Sequence, residues 1–416
     1  MMKKLLKRAG LLLGGVVLAA ACWALYVDVS GIPNFGPQVV PELHVEVTPA
    51  RVERGRKFAV MLCAECHQDR ATGRLTGKHM TDMDGTFGDI WSKNITRHPE
   101  RGIGAWTDGE LALFLRTGLK KDGTYVPPWM PKLPHVSDED LASIIAFLRS
   151  EDPLVAPSDA VSHPTKPTLL AKALAHTVIE PFPYPSEPKL TPPVTDRVAF
   201  GKYMTYALDC YACHSTNVMK VDFLNPDRSP NYMAGGQIFK DGAGEDIRTA
   251  NLTPHDETGI GRWTEAEFVR ALTKGFRPDG RVLHYPMTPR TELTDEEAGA
   301  IHAYLRTIPA IDNAVARPLP NAASSGGDTG KRLYATYGCV ACHGETGAGS
   351  GGADLRGANE NYPTDRELRA WIEDAPSKKP GTRMPAWRGI IKDEDYAPLM
   401  AYVRTLARGE GRSASR

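Results

Sequence analysis

The sequence is poor in cysteine and has no surplus of either charge. Seven of its 416 residues are cysteine, and 50 Lys and Arg residues balance 50 Asp and Glu residues. The missing basic surplus argues against a nucleic-acid-binding protein, and the missing charged tail argues against extensive disorder. Gly and Pro are plentiful, at 39 and 33 residues. We therefore expect loops to make up much of each domain.

The few cysteines are concentrated in one repeated motif. Six of the seven belong to three copies of Cys-x-x-Cys-His, at Cys63–His67, Cys210–His214 and Cys339–His343. This is the attachment signature of a c-type haem, in which both thiols form thioether bonds to the porphyrin and the histidine binds the iron. A zinc site needs four ligands and would leave one pair over, and a thioredoxin-like dithiol expects a βαβ context that is absent here.

The motifs therefore predict three covalently bound haem c groups, each with its iron. Covalent haem c is attached outside the cytoplasmic membrane, so the motifs also predict an exported protein. The expected thioether bonds come from Cys63, Cys66, Cys210, Cys213, Cys339 and Cys342. The expected proximal iron ligands are His67, His214 and His343.

The N-terminus agrees with export. Four basic residues between positions 3 and 8 precede an apolar run that reaches about Val27. Residues 1–27 are therefore expected to be a membrane anchor or signal segment, with the haem domains in the periplasm. Ala19-x-Ala21 offers a cleavage site, but the apolar run continues past it, which favours a single retained anchor. Cys22 is open to lipidation, although an ordinary membrane-embedded cysteine is the simpler interpretation.

A long internal repeat relates the first two motifs. The segment Asn94–Arg149 aligns without a gap to Asn251–Arg306, at a constant offset of 157. A repeat of this length implies two domains of one fold. The cysteine motifs themselves are offset by 147 (210 minus 63), so the second domain has ten additional residues after its motif. The third unit is shorter and lacks the Asn-x-Thr and Gly-Ile-Gly-x-Trp-Thr elements, but it keeps a Met-Pro pair and a closing helix.

These patterns predict an all-α protein with three tandem class I cytochrome c domains behind the N-terminal segment. Each domain is expected to run in the order helix, motif, loops, methionine near proline, and closing helix. The proline-dense stretch between the first two domains is expected to be a stiff spacer. The predicted boundaries are 46–152 for domain 1, 153–193 for the Pro-rich linker, 194–311 for domain 2, 312–327 for a second linker and 328–408 for domain 3.

Two other features concern packing near the motifs. A glycine lies eight or nine residues before each first cysteine, at Gly55, Gly201 and Gly330. There it would let the aromatic residue of the closing helix (Phe147, Tyr304 or Tyr402) approach the first helix closely. Asn94 and Trp106, with their repeat equivalents, have two possible roles. They either pack the loops or donate hydrogen bonds to the haem propionates.

An iron that transfers electrons without binding substrate needs a sixth ligand. A methionine thioether raises the reduction potential of a His-ligated haem. Methionine as core filler is the alternative. The candidate ligands, each beside a proline ahead of the closing helix, are Met130, Met287 and Met384. The rivals that stay open are Met80 and Met83 for the first haem, and Met233 or His284 for the second.

The arrangement resembles the triheme cytochrome c subunits of bacterial membrane-bound dehydrogenases, such as those that oxidise alcohols, gluconate or aldehydes. The residues that carry the resemblance are Asn251-Leu-Thr253-Pro254, Gly259-Ile260-Gly261-x-Trp263-Thr264, Tyr285-Pro286-Met287 and the matching stretch of domain 1. The resemblance implies a respiratory-chain cytochrome that accepts electrons from a separate catalytic dehydrogenase subunit. The implied acceptor is quinone or another carrier, such as a cytochrome or an oxidase.

The sequence therefore predicts a membrane-anchored electron-transfer protein rather than an enzyme. No proton-transfer residue is required, because electrons pass between covered haems. The alternative is a haem enzyme such as a peroxidase, with one open iron site. A haem-based sensor is a third possibility, but no signalling domain follows the motifs.

Overall fold

A computed structural model describes residues 2–69, 72–80, 85–127, 129–240, 246–279, 282–283, 286–316, 329–344, 346–349, 354–379, 382 and 384–407. The described chain is mostly helical, as predicted. By its internal contacts it divides into two compact parts, the first made of Met1–Ala59 and Cys63–Lys189 and the second of Val60–Leu62 and Leu190–Arg416. Of the predicted features, Met83, His284, most of linker 312–327 and the last residue of domain 3, position 408, lie outside the described residues.

Within the described residues, six α-helices precede Lys189: α1 Met2–Ser30, α2 Pro49–Leu62, α3 Ala64–His67, α4 Asp108–Thr117, α5 Asp138–Arg149 and α6 Leu169–Thr177. Ten described α-helices follow it: α7 Arg197–Ala207, α8 Cys210–His214, α9 Glu265–Lys274, α10 Asp295–Leu305, α11 Thr329–Thr336, α12 Cys339–His343, α13 Ala358–Asn361, α14 Asp365–Glu373, α15 Ala375–Lys378 and α16 Asp393–Ala407. The strands of the described chain form two short antiparallel pairs, β1 Gly88–Asp89 with β2 Lys166–Pro167 and β3 Ile238–Lys240 with β4 Asp246–Arg248.

Helix α1 is the one helix in the described residues that is long and apolar enough to cross a membrane. The apolar stretch covers Leu6–Ser30, and its side chains are mostly exposed. A span of 25 residues exceeds the roughly 20 that a bilayer requires. By length and composition it is compatible with either an anchor or a signal sequence.

One helix between each motif and the closing helix begins with the same cap. A threonine side chain accepts from the backbone of a glutamate three residues on, and that glutamate accepts from the threonine backbone. This reciprocal pair satisfies backbone groups that a helix start otherwise leaves without partners. The pairs are Thr107 with Glu110 (α4), Thr264 with Glu267 (α9) and Thr364 with Glu367 (α14). The shortened third unit therefore retains this middle helix.

The helix before each motif crosses the closing helix with the two backbones in contact. The pairs are α2 with α5, α7 with α10, and α11 with α16. A Cβ placed on Gly55 would lie 1.8 Å from the Ser143 carbonyl oxygen. The equivalent distances are 1.9 Å from Gly201 to the oxygen of Ala300, and 2.3 Å from Gly330 to that of Pro398. The closing helix thus approaches closely at all three glycines. The predicted aromatic residue is among the nearest atoms at two of them, Tyr304 at Gly201 and Tyr402 at Gly330, whereas the nearest atoms at Gly55 belong to the backbone of Ser143 and Ile144.

An arginine near the end of each closing helix ties it to the start of the middle helix. Arg149 donates to the Ile103 carbonyl oxygen at 3.1 Å, and Arg404 donates to that of Tyr362 at 3.0 Å. Arg306 makes the matching bond to the Gly261 carbonyl oxygen. The three units therefore share the helix crossing, the capped middle helix and this arginine contact.

The proline-rich segment after domain 1 is attached to the first unit along much of its length. Strand β2 pairs with β1, and the amide of Phe182 donates to the Thr117 carbonyl oxygen at 3.3 Å. Further along, the amide of Asp138 donates to the Lys189 carbonyl oxygen at 2.8 Å. Within the same segment, helix α6 packs against α1.

The crossing predicts a large penalty for a side chain at Gly55. Because the added methyl group would overlap the Ser143 backbone, Gly55→Ala should destabilise the first unit by about 3 kcal/mol. Gly85→Ala is the matched control, since a Cβ at Gly85 meets nothing within 4 Å. It should change stability by less than about 1 kcal/mol. Thermal unfolding followed by circular dichroism measures both variants, and equal melting temperatures would contradict the crossing.

Candidate haem-attachment sites

Each Cys-x-x-Cys-His motif occupies a short helix directly after the first helix of its unit. The motifs coincide with the region of α3, with α8 and with α12. Residues in left-handed conformation start the second and third of these turns, with φ of 58° at Asp209 and 70° at Gly338. In the second and third motifs both cysteines and the histidine lie on one short helix, and in the first motif Cys63 directly precedes it.

Two motif histidines are held in one orientation by a backbone carbonyl. Nδ1 of His67 lies 2.7 Å from the Lys93 carbonyl oxygen, and Nδ1 of His214 lies 2.9 Å from that of Ala250. A carbonyl oxygen only accepts, so Nδ1 carries the proton and Nε2 is left to bind iron. Burial lowers the pKa of His67, which favours the neutral form that binds metal. The corresponding acceptor in the third unit, residue 353, lies outside the described residues.

The chain after each motif folds back in the same way. A glycine in left-handed conformation donates its amide to the carbonyl oxygen of the motif histidine. These bonds are Gly77 to His67 at 2.8 Å, Gly235 to His214 at 2.6 Å and Gly349 to His343 at 3.0 Å. The residue two positions before each of these glycines accepts, through its carbonyl oxygen, a hydrogen bond from a leucine or isoleucine amide. Those bonds are Ile95 to Leu75, Leu252 to Met233 and Leu355 to Gly347.

The cysteines fit thioether formation better than an ion site. All seven are thiols, outside any disulfide. Burial raises the pKa of Cys63 to about 12, of Cys210 to about 11 and of Cys339 to about 12. Burial thus keeps these three thiols protonated in the folded chain. Within the described residues, no group of three or more His, Cys, Asp or Glu side chains could hold a metal ion.

The three candidate methionines occupy equivalent loops between the middle and closing helices. In each unit, the amide three residues after the methionine donates to a carbonyl oxygen near the end of the middle helix. The bonds are Leu133 to Leu115 at 2.8 Å, Arg290 to Leu272 at 2.8 Å and Trp387 to Ile372 at 3.3 Å. Met130, Met287 and Met384 are all half-buried. In the third unit, Met384 and Cys339 both pack against one hydrophobic cluster.

Met233 has the environment of a core residue. Its side chain is fully buried, and its carbonyl oxygen accepts from Leu252 as that of Leu75 accepts from Ile95. Leu75, which cannot bind iron, is also fully buried. The parallel makes Met233 the counterpart of a leucine. Met80 is buried as well, and its amide donates to the Ile90 carbonyl oxygen at 3.0 Å, which does not decide its role.

The repeated asparagines use their amide groups for loop packing. The side chain of Asn94 donates to the carbonyl oxygens of Ser158 and Ala160, and its oxygen accepts from the amide and hydroxyl of Thr96. The side chain of Asn251 likewise donates to the hydroxyl of Thr258 and the carbonyl oxygen of Ile311, and its oxygen accepts from the amide and hydroxyl of Thr253. An amide has two donors and two acceptor positions, so no capacity remains for a haem propionate.

The third unit has the same turn with a different residue. Asp354 accepts from the amide of Arg356 at 2.8 Å, as Asn94 does from Thr96. Asp354 directly precedes Leu355, whose amide donates to the Gly347 carbonyl oxygen. In the same way, Asn94 directly precedes Ile95, whose amide donates to the Leu75 carbonyl oxygen. The sequence pattern Asn-x-Thr does not reveal this turn, because the third unit lacks it. The signal was present as Asp-x-Arg, since aspartate forms the same turn.

Comparison with known proteins agrees with this geometry. The cytochrome c family model matches residues 52–152 and 327–407. A nicotinate dehydrogenase subunit of Pseudomonas putida is 28% identical over 85% of the chain and 30% of its own length. The fructose dehydrogenase cytochrome subunit of Gluconobacter japonicus is 29% identical over 64% of the chain and 55% of its own length. The gluconate 2-dehydrogenase cytochrome c subunit of Pantoea cypripedii is 27% identical, over 86% of each protein.

The chain thus spans less than two thirds of the first two relatives and most of the third. Two of these relatives are named as cytochrome subunits of dehydrogenases, and the peroxidase alternative finds no support among them. The resemblance drawn from the motifs is confirmed. Residues 52–152 and 327–407 match the cytochrome c family, and the chain is similar over most of its length to a cytochrome c subunit of a dehydrogenase.

Proposed function

We propose that this protein is a triheme c-type cytochrome that carries electrons on the outer face of the cytoplasmic membrane. Its donor is a dehydrogenase catalytic subunit, and its acceptor is quinone or a downstream carrier such as a cytochrome or an oxidase. The observation that carries the proposal is the repetition of one arrangement. Three times, a glycine amide binds the motif histidine carbonyl and a tethered loop presents a methionine.

Three haems are proposed although the family model covers only the first and third motifs. The second motif has the same support as the first. Its histidine is bonded to Ala250 where the first is bonded to Lys93, and these two residues are 157 apart, which is the offset of the repeat. An unrelated Cys-x-x-Cys-His segment would have no reason to reproduce that bond. The three domains predicted from the sequence are proposed on the same grounds.

The ligand assignments follow from the same framework. When bound, haem iron supplies one-electron redox chemistry. His67, His214 and His343 would hold it through Nε2, and Met130, Met287 and Met384 would supply the thioether sulfur. Six cysteines would attach the porphyrins: Cys63, Cys66, Cys210, Cys213, Cys339 and Cys342. The carbonyl bonds at Nδ1 fix the imidazole planes, and the surrounding burial keeps water away and tunes the potential.

The proposed second and third domains contact each other within the second compact part of the chain. The rings of Phe276 and Trp387 meet edge to face, with centroids 5.1 Å apart. A Cβ on Gly338, which directly precedes Cys339, would lie 2.1 Å from Cγ2 of Val282. Val282 belongs to the segment that leads to Met287. The second methionine loop therefore lies beside the third motif, which favours direct electron transfer between those two haems.

The partner and the location are proposed from the relatives and from α1. Relatives named as cytochrome subunits of fructose and gluconate dehydrogenases suggest a dehydrogenase donor. Retention of α1 as a single anchor would keep the haem domains in the periplasm beside the membrane. This chain would then be an electron carrier rather than the catalytic subunit.

The haem count is directly measurable. A pyridine haemochrome assay on the purified protein should give three haems per chain. A Cys339→Ser, Cys342→Ser double variant removes both attachment points of the third motif, so it should give two. Cys22→Ser is the control and should keep three, because Cys22 lies outside the motifs. Two haems in the unaltered protein would contradict the proposal.

Three alanine variants and two leucine control variants test which methionines bind iron. Met130→Ala, Met287→Ala and Met384→Ala should each remove about one third of the sulfur-to-iron charge-transfer absorption and lower one reduction potential. Met233→Leu should leave both unchanged, because Leu75 already occupies the counterpart position in domain 1. Met80→Leu should also be neutral.

Spectroscopy and redox titration of the five variants check this pattern. A Met80→Leu variant that loses the band while Met130→Ala keeps it would transfer the first assignment to Met80. An unchanged spectrum for Met384→Ala would refute the third.

A further inference from the structure

Helix α6 is bound to the end of the apolar helix α1. Nζ of Lys172 donates to Oδ1 and to the carbonyl oxygen of Asp28, at 2.7 and 3.0 Å. One helical turn later, Nε2 of His176 lies 3.0 Å from the Gly31 carbonyl oxygen, and its ring meets that of Tyr26 edge to face at 5.8 Å. The two basic side chains of α6, Lys172 and His176, are therefore both used at the place where the chain leaves α1.

The same helix is fixed to domain 1 at its other end. Strand β2 immediately precedes it and pairs with β1. Its capping residue Thr168 donates its amide to the Phe87 carbonyl oxygen at 3.1 Å and its hydroxyl to that of Thr86 at 2.7 Å. Helix α6 thus connects domain 1 to the end of α1, and its position relative to α1 is set by contacts on two sides.

The outward face of α6 is apolar and has no charge. Ala171 and Ala175 are buried, whereas Leu169 and Leu170 are 44% and 50% exposed. At 100° per residue, Leu169, Leu170, Ala173 and Thr177 fall within an arc of about 100° that excludes Lys172 and His176. Just beyond the helix, Val178 is 69% exposed. Adjacent exposed leucines on a helix face indicate a surface that contacts something other than water.

The lipid boundary is the occupant that this position favours. The apolar span of α1 ends at Ser30, and Trp23 and Tyr26 near that end are exposed in the way of aromatic residues at a membrane interface. Because α6 contacts Tyr26, Asp28 and Gly31, its uncharged face lies at the level where headgroups meet acyl chains. A helix of nine residues offers too little area for a stable protein interface, which buries about 800 Å² per partner.

We propose that α6 is an interfacial helix, with the Leu169 and Leu170 face and Val178 inserted into the phospholipid boundary around the exit of α1. The proposal rests on the proposed retention of α1 as a membrane anchor. Such helices lie in the membrane plane and contribute binding through a small buried apolar area. The consequence is that domain 1 is held close to the membrane surface instead of swinging on the residues that follow α1.

Site-directed spin labelling of the full chain tests the location of this face. In a Cys22→Ser background, a nitroxide is attached at Leu170→Cys, or at Leu169→Cys in a second variant, and the protein is placed in phosphatidylcholine nanodiscs. Power saturation then compares collisions with molecular oxygen, which concentrates in lipid, and with a water-soluble nickel chelate. Val161→Cys is the control, since Val161 is 59% exposed in the same proline-rich segment but away from α6.

The expected result is that labels at 169 and 170 favour oxygen several-fold over nickel, whereas the label at 161 favours nickel. Equal nickel access at all three positions would overturn the interfacial placement. Shielding from both reagents at 169 and 170 would also overturn it, in favour of a protein partner. Mass spectrometry of the same sample reports whether α1 is present. If the labels at 169 and 170 are accessible to nickel while α1 is retained, only this inference is refuted. If α1 has been lost, the proposed anchor is refuted as well.

Discussion

The contact of two helix backbones at a glycine is the constraint on which each unit depends. At Gly55, Gly201 and Gly330 any side chain would overlap the closing helix, so the crossing distance is set by backbone atoms alone. The first helix leads directly into the cysteine motif, and the closing helix follows the methionine loop. The crossing therefore links the segment that would hold the proximal histidine to the segment that would hold the distal methionine. A change in helix separation would move both iron ligands relative to each other.

Between these two anchors, backbone hydrogen bonds carry most of the arrangement. The glycine that binds the histidine carbonyl, the carbonyl that binds Nδ1 and the amide that tethers the methionine loop are main-chain groups. This explains how the third unit can discard whole sequence elements and still place its residues equivalently. In these loops the left-handed backbone at positions such as Gly77 and Gly349 favours glycine.

The first unit adds an attachment that the other units do not need. Its proline-rich extension pairs with β1, binds the end of α1 through Lys172 and His176, and exposes an uncharged helix face. The second unit instead brings a methionine loop against the next motif, through Phe276, Val282 and Gly338. The two ends of the chain thus differ in their described contacts: those of one end involve the apolar helix α1, and those of the other involve the third cysteine motif.

The sequence by itself determined the chemistry: the cysteine motifs, the repeat and the methionine-proline pairs named every proposed ligand, because covalent attachment and iron ligation demand particular side chains at particular spacings. It also predicted the three glycine crossings. Only the tertiary structure decided which residues are equivalent where side chains differ. Asp354 replaces Asn94, Thr364 caps a middle helix that the shared motifs do not reveal, and Met233 occupies the place of Leu75. Backbone conformation and burial define those positions, and several residue types satisfy them, so no spacing rule could have found them. The docking of α6 on α1 depends on contacts more than 140 residues apart, which no local pattern encodes.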